Sequence, residues 1–479
     1  MKPGNVEKMI NLKIEAGNKH IKLFVINLTI IILLMLLCHV DFGENVFRGI
    51  VFGYYLAVFF VFFWKFVNDA VDVVDITVVF FMMYNVFATL VFSFESMIEK
   101  LQIFMSSAIP VDEAGIRIYL TVLLVSTMIY MHILAGGKIS RESKKRKVKG
   151  IAINRIMSFF SLKITDKQFI VMPIILLLVL YLTYMNRLTG GVYIAYSGIA
   201  NAGRVFNIFG WISIIGSGAI FAGLSMNKNN DNKIIYAALI IAAGLCWILK
   251  IRMYCAMFMI EYIVCAYIRG FRFKKAHMII LFGFGVLLLF GNVLRFSVYS
   301  FGNIYHDFFT VFGEFVASSV SGYYLVNNPL GFDGGVRMRD LIFQLLPSAF
   351  RPVSALDDFY VYYVEKGINP WPAGGNLFQG QLYFYFGIFS YFFLWIAALY
   401  LFYVKRKMNE GKISAGLAMF PVFCMSMPRL PVWVLRSMLV AGGAYFLVHL
   451  ISSCKFISRT RWEWTDTMKS EIRDGDKRC

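Results

Sequence analysis

The sequence predicts an all-α, polytopic integral membrane protein of about 12 transmembrane helices, and three observations carry that expectation. The 479 residues are 59% hydrophobic and 17% aromatic, with mean hydropathy +0.67, a balance outside that of soluble globular domains. The apolar residues come in runs near the ~20 that an α-helix needs to cross a bilayer. The strongest basic segments fall where one side of such a membrane path would be, as the positive-inside rule requires.

Laid out in order, the apolar runs lie at roughly 21–40, 46–66, 73–93, 116–135, 168–185, 206–226, 234–249, 252–268, 278–296, 382–404, 413–428 and 432–453. Five lysines from Lys2 to Lys22 precede the first. That run is too long for a signal-peptide core and lacks a small-residue cleavage site, so it reads as an uncleaved anchor. With twelve spans both termini lie inside, and "GGKISRESKKRKVKG", "RGFRFKK" and "KRKMNEGK" all fall on that inner side. The chain divides into a four-span bundle over 1–167, a transmembrane region over 168–454 and a mixed-charge tail over 455–479.

The longest outer segment, 296–381, is where function is expected, because loops of this length in compact proteins are uncommon without one. "HDFFTVFGEFVASSVSGYYLVNN" is apolar enough to lie on or dip into the bilayer. "RDLIFQLLPSAFRP" reads as a short amphipathic helix stopped by Pro352. "GINPWPAGGNLFQGQLYFYFG" is punctuated by Pro and Gly at the mouth of the tenth span. Irregular backbone at membrane depth is tolerated where it lines a polar cavity.

Charge narrows the function classes. The net +19 sits in short loops between spans, where insertion and anionic lipid account for it, so nucleic acid is not an expected partner. The seven cysteines show neither a disulfide pattern nor zinc spacing, four of them (Cys246, Cys255, Cys265 and Cys424) lying within spans. No metal and no cofactor is expected. About 33 of the 47 Lys+Arg fall on the inner side, about 23 of them Lys, whereas the outer set is about 11 Arg to 3 Lys. Topology-setting charge has no preference for arginine. Holding phosphate does, because the planar guanidinium offers a five-donor fork.

Arg252 opens the eighth span and Arg295 closes the ninth, so antiparallel helices would bring both to one membrane level. Arg351 in the loop, with Arg429 and Arg436 in "MPRLPVWVLR", can converge with them on a diphosphate. Each alone is equally suited to snorkel to headgroups. Acid–base candidates outside are His306, with Asp307 beside it and Glu314 two helical turns on. His306 also fits a structural hydrogen-bonding role; Asp357 and Asp358 serve equally as acid–base candidates or as a solvated turn. Tyr383 and Tyr385 fit sugar stacking or an interfacial aromatic belt.

"LKIRMYCAMF" before a basic inner loop, "NVLRFS" entering a large outer loop, "LLPSAFRP" within it and "NLFQGQLYFYFGIFSYFF" leaving it resemble the O-antigen and capsular polysaccharide polymerases of the Wzy type. The resemblance covers about residues 168–450, in order and spacing more than letter by letter. It departs from the family at two points: Lys250-Ile251-Arg252 stands where Gly-small-Arg is usual, and Gln381 where a Glu is common. Arg187 to Gly198 matches an Arg-ten residues-Gly pattern of some members.

What the resemblance implies is a GT-C-like fold in the bacterial cytoplasmic membrane, joining polyprenyl-diphosphate-linked oligosaccharide donor and acceptor on the outer face. A chain-length regulator is an expected partner. Arg252, Arg295 and Arg351, supported by Arg429 and Arg436, would neutralise the leaving diphosphate. His306 or Glu314 would take the acceptor proton. Substrate contacts are expected from Arg187, Gln381, Tyr383 and Asp357. The alternatives are a lipid-linked oligosaccharide flippase, an O-antigen ligase, and a metal-dependent GT-C enzyme using Asp41 and Glu44.

Overall fold

The computed structural model describes residues 44–67, 71–105, 111–135, 200–226, 239–244, 246, 252–268, 309, 312–328, 331–345, 378–426 and 431–453. All regular structure among them is helical. In chain order the helices are α1 (Glu44–Val67), α2 (Val73–Ser93), α3 (Glu95–Met105), α4 (Glu113–Ala135), α5 (Ala200–Met226), α6 (Arg252–Ile268) and α7 (Gly313–Asn327). They continue as α8 (Gly334–Leu345), α9 (Phe378–Phe386), a 3-10 turn (Gly387–Phe389), α10 (Ser390–Glu410), α11 (Ala415–Ala418), α12 (Phe420–Ser426) and α13 (Pro431–Ser453).

Among the described residues, five stretches are long and apolar enough to cross a membrane: Val46–Val67, Val73–Ser93, Glu113–Leu134, Phe378–Glu410 and Val434–Ile451. The runs at 206–226 and 252–268 coincide with α5 and α6. Those at 21–40, 168–185 and 278–296 lie outside the described residues, and 234–249 is described only in part. Two runs differ from a plain span. Gly387 has φ +54°, a left-handed conformation that ends α9 and that glycine alone adopts without a Cβ penalty. The eleventh run is two short helices, α11 and α12.

Apolar side chains point outward as well as inward. Phe59, Phe60, Phe63 and Trp64 of α1, Phe392, Ile396 and Leu399 of α10, and Leu439, Leu447 and Leu450 of α13 are all exposed. Faces so apolar and so continuous belong against lipid.

The chain forms two compact units, one within Met1–Lys147, Phe271–Arg406 and Ser426–Val434, the other within Val148–Gly270, Lys407–Met425 and Leu435–Cys479. In the first, four helix ends are tied by charge. Asp72 caps α2 by accepting from Asp75 N at 2.9 Å, and Asp75 accepts in return from Asp72 N at 3.1 Å. Lys65, in the last turn of α1, donates to Asp75 Oδ2 at 2.7 Å and to the Leu134 carbonyl near the end of α4 at 2.8 Å. Lys405 of α10 donates to Asp75 Oδ1 at 2.8 Å and Asp72 Oδ2 at 3.0 Å. Two lysines and two aspartates, all buried, cancel formally and leave no unpaired charge. The cluster also sets α1 and α4 antiparallel to α2.

At the opposite end of this unit, α7 is inserted between α2 and α4. Phe315 packs on Tyr84 and Phe87 at ring distances of 4.4 and 4.9 Å, and Tyr323 stacks on Phe92 at 4.9 Å. The helix therefore runs beside the second half of α2 and begins level with its middle. Tyr119 donates to the Ser319 carbonyl at 2.8 Å, and Tyr323 to Asp112 Oδ1 at 3.1 Å. Asn328, left-handed at φ 45°, closes α7.

Short helix α9 lies against α7 through paired glycines. A Cβ on Gly380 would stand 3.0 Å from Gly322 Cα and 3.2 Å from its carbonyl oxygen, backbone that cannot swing aside as a flexible side chain would. Gly380→Val is expected to cost about 1–3 kcal/mol by overpacking this contact. Thermal unfolding of the solubilised variant at the wild-type temperature would contradict it.

The second unit is built on α5 and α13. Arg436 stands over the Trp211 ring at 4.8 Å, and Ser225 and His449 are hydrogen-bonded at 2.8 Å. The two contacts are 14 residues apart on α5 and 13 on α13, so the helices run parallel.

Candidate functional site

The loop helices α7, α8 and α9 meet at the Asp112 end of the first unit. Helix α8 starts earlier than its amphipathic pattern suggests, at Gly334, because Asp333 caps it by accepting from Val336 N at 2.8 Å. Its inner face is clamped to α9 twice. Arg337 Nη1 donates to the Phe384 carbonyl at 2.8 Å, and Tyr385 donates to Asp340 Oδ2 at 2.6 Å. Arg337 thus places a cation on the last turn of α9, where free carbonyls and the helix dipole favour one. Its guanidinium also lies 5.9 Å from the Phe384 ring centre. Nε leans on the Asp333 carbonyl at 3.4 Å.

Beneath this surface lies an uncharged polar seam. Gln379 of α9 donates to Asn85 Oδ1, and Asn85 Nδ2 donates to Ser126 Oγ and Thr127 Oγ1 at 2.9 and 2.8 Å. Thr127 in turn donates to Tyr55 OH at 3.3 Å, so α1, α2, α4 and α9 share one network. Such amides and hydroxyls act as glue between helices in a bilayer. Gln381 is buried, with Oε1 lacking a hydrogen-bond partner among the described residues. Tyr383 is half-buried beside Arg337.

The sequence-derived site residues fall in different places. Gln381 and Tyr383 both lie on α9, Tyr383 beside Arg337 and Gln381 buried. Glu314 lies in the first turn of α7, level with the middle of α2 rather than at the helix-end surface. Arg252 is the first residue of α6. Arg436 is half-buried in the second unit, its guanidinium on Trp211. His306, Arg187, Arg295, Arg351, Arg429 and Asp357 lie outside the described residues. Asp41 does too, while Glu44 is the first residue of α1. Among the described residues no three His, Cys, Asp or Glu side chains group as metal ligands.

Sequence reasoning missed Arg337, Asp340 and the buried quartet of Lys65, Asp72, Asp75 and Lys405. Arg337 stands two residues before the segment singled out, and "GFDGG" before it is a helix-cap signal. No family model, curated protein or solved structure matches the chain.

Proposed function

We propose that this protein joins lipid-diphosphate-linked oligosaccharide repeat units on the outer face of a bacterial cytoplasmic membrane. The observation that carries the reading is the arginine-rich outer charge set, about 11 Arg to 3 Lys, on a chain of apolar spans. Support comes from the meeting of α7, α8 and α9 at the Asp112 end, the end taken as outer. There Arg337, Tyr383 and buried Gln381 offer cationic, aromatic and amide groups next to an apolar surface, the combination that a lipid-anchored saccharide diphosphate needs.

The chemistry follows from the leaving group. The anomeric carbon–oxygen bond to the donor's diphosphate breaks as the acceptor hydroxyl oxygen bonds to that carbon. Arg252, Arg295 and Arg351, with Arg429 and Arg436, neutralise the charge developing on the diphosphate. His306, or Glu314, takes the hydroxyl proton. Arg187, Gln381, Tyr383 and Asp357 hold the sugars.

Cells in which the chain is inactivated are expected to accumulate single lipid-linked repeats exposed on the outer leaflet, and to cap their glycolipid with one unit. Accumulation on the inner leaflet alone would overturn the reading in favour of a flippase.

A further inference from the structure

Glu261 stands near the middle of α6 and is the one charged residue between Tyr254 and Ile268. It is 0% exposed, and neither carboxyl oxygen has a hydrogen-bond partner among the described residues. Beside it is Ser217 of α5, whose hydroxyl donates to the Ala418 carbonyl of α11 at 3.3 Å. Ser213, one turn earlier on the same face of α5, is fully buried as well.

No described cation is placed against this carboxyl. From Gly210 to Ser225 α5 carries no charged residue, and α11 carries none. Arg436 stands over Trp211, His449 bonds Ser225, and Lys407 and Lys412 lie beside Glu410. The other charged or titratable groups on α6 are Arg252, its first residue, the phenols of Tyr254, Tyr262 and Tyr267, and the thiols of Cys255 and Cys265. The contrast with Asp75 is direct: equally buried, that carboxylate holds two lysine ammonium groups.

An ionised carboxylate taken out of water without a partner costs several kcal/mol, a cost removed when the group carries a proton. Ser217 has given its one proton to Ala418, so its oxygen can only accept from Glu261. The neutral acid has a proton to offer that oxygen, whereas the carboxylate has none. The oxygens of Glu261, Ser217 and Ala418 fall short of the roughly six that a hard metal cation takes. A proton requires only the carboxyl and one acceptor.

We infer that Glu261 is a proton-binding site within the membrane, held as the neutral acid beside Ser217 of α5, and that losing the proton loosens the packing of α5, α6 and α11. The site stands whether or not the protein transfers sugars.

The test uses the full chain in lipid nanodiscs treated with dicyclohexylcarbodiimide. This apolar reagent adds the O–H of a protonated carboxyl across one C=N bond, and the adduct rearranges to a stable N-acylurea found by peptide mass. Labelling is expected on the Glu261 peptide, with a roughly tenfold loss of yield from mildly acidic to strongly alkaline buffer. A water-soluble carbodiimide should leave the peptide unmodified. Glu261→Gln, the neutral isostere, should abolish the adduct and elute as wild type. No adduct at any pH, equal labelling by the water-soluble reagent, or a Glu261→Gln protein that fails to fold while Glu261→Asp folds would each overturn the site.

Discussion

Asp75→Ala is expected to remove most of the folded protein recovered from detergent. The substitution leaves Lys65 with only the Leu134 carbonyl and Lys405 with only Asp72, so one buried ammonium group loses its counter-charge. Breaking a buried pair in this way costs about 3–5 kcal/mol, a large share of the ~5–15 kcal/mol that holds a domain together. Size alone is not the cause, since alanine removes little apolar contact. The double variant Asp75→Asn with Lys65→Met restores the charge balance and should recover much of the lost protein. Single and double variants of equal yield would show that the quartet is not what ties these helix ends.

The second large effect is on activity. Arg252→Lys and Arg295→Lys keep the charge and lose the planar fork, so polymer is expected to fall by about 10²–10³ with protein levels unchanged. Arg436→Lys should do less to chemistry and more to packing. Its guanidinium already faces Trp211, a contact of about 0.5–2 kcal/mol that lysine partly preserves. Wild-type polymer from both the Arg252 and Arg295 variants would leave these residues as lipid anchors.

The residues divide clearly into what periodicity can reveal and what it cannot. Apolar runs of helical length mark α1, α2, α4, α5, α6 and α13 to within a few residues, because burial or lipid exposure along a whole span needs no partner to be named. The short helix α3 is not visible that way: "ESMIEKLQIFM" is too polar and too brief to read as a span. The break at Gly387 depends on a single φ angle. The lysine–aspartate quartet joins Lys405 to Asp75 across 330 residues, and four charges near span ends look like ordinary headgroup anchors until the helices are packed. Glu261 carried a legible signal, one acid within an otherwise apolar run, but its lack of a counter-ion among the described residues is a property of neighbours. Of the site residues, Gln381 and Tyr383 both lie on α9. Arg337 joins them only because Asp333 starts α8 early and turns that arginine onto the end of α9.

The most direct measurement is elongation by the purified protein in lipid nanodiscs, given polyprenyl-diphosphate-linked repeat units and excess EDTA. If arginines neutralise the leaving diphosphate, a ladder of two, three and more repeats should form without any divalent ion, and His306→Ala should slow it by roughly 10²–10⁴. A strict Mg²⁺ or Mn²⁺ requirement, lost in Asp41→Asn and Glu44→Gln, or single units that cross the bilayer and are never joined, would contradict the account.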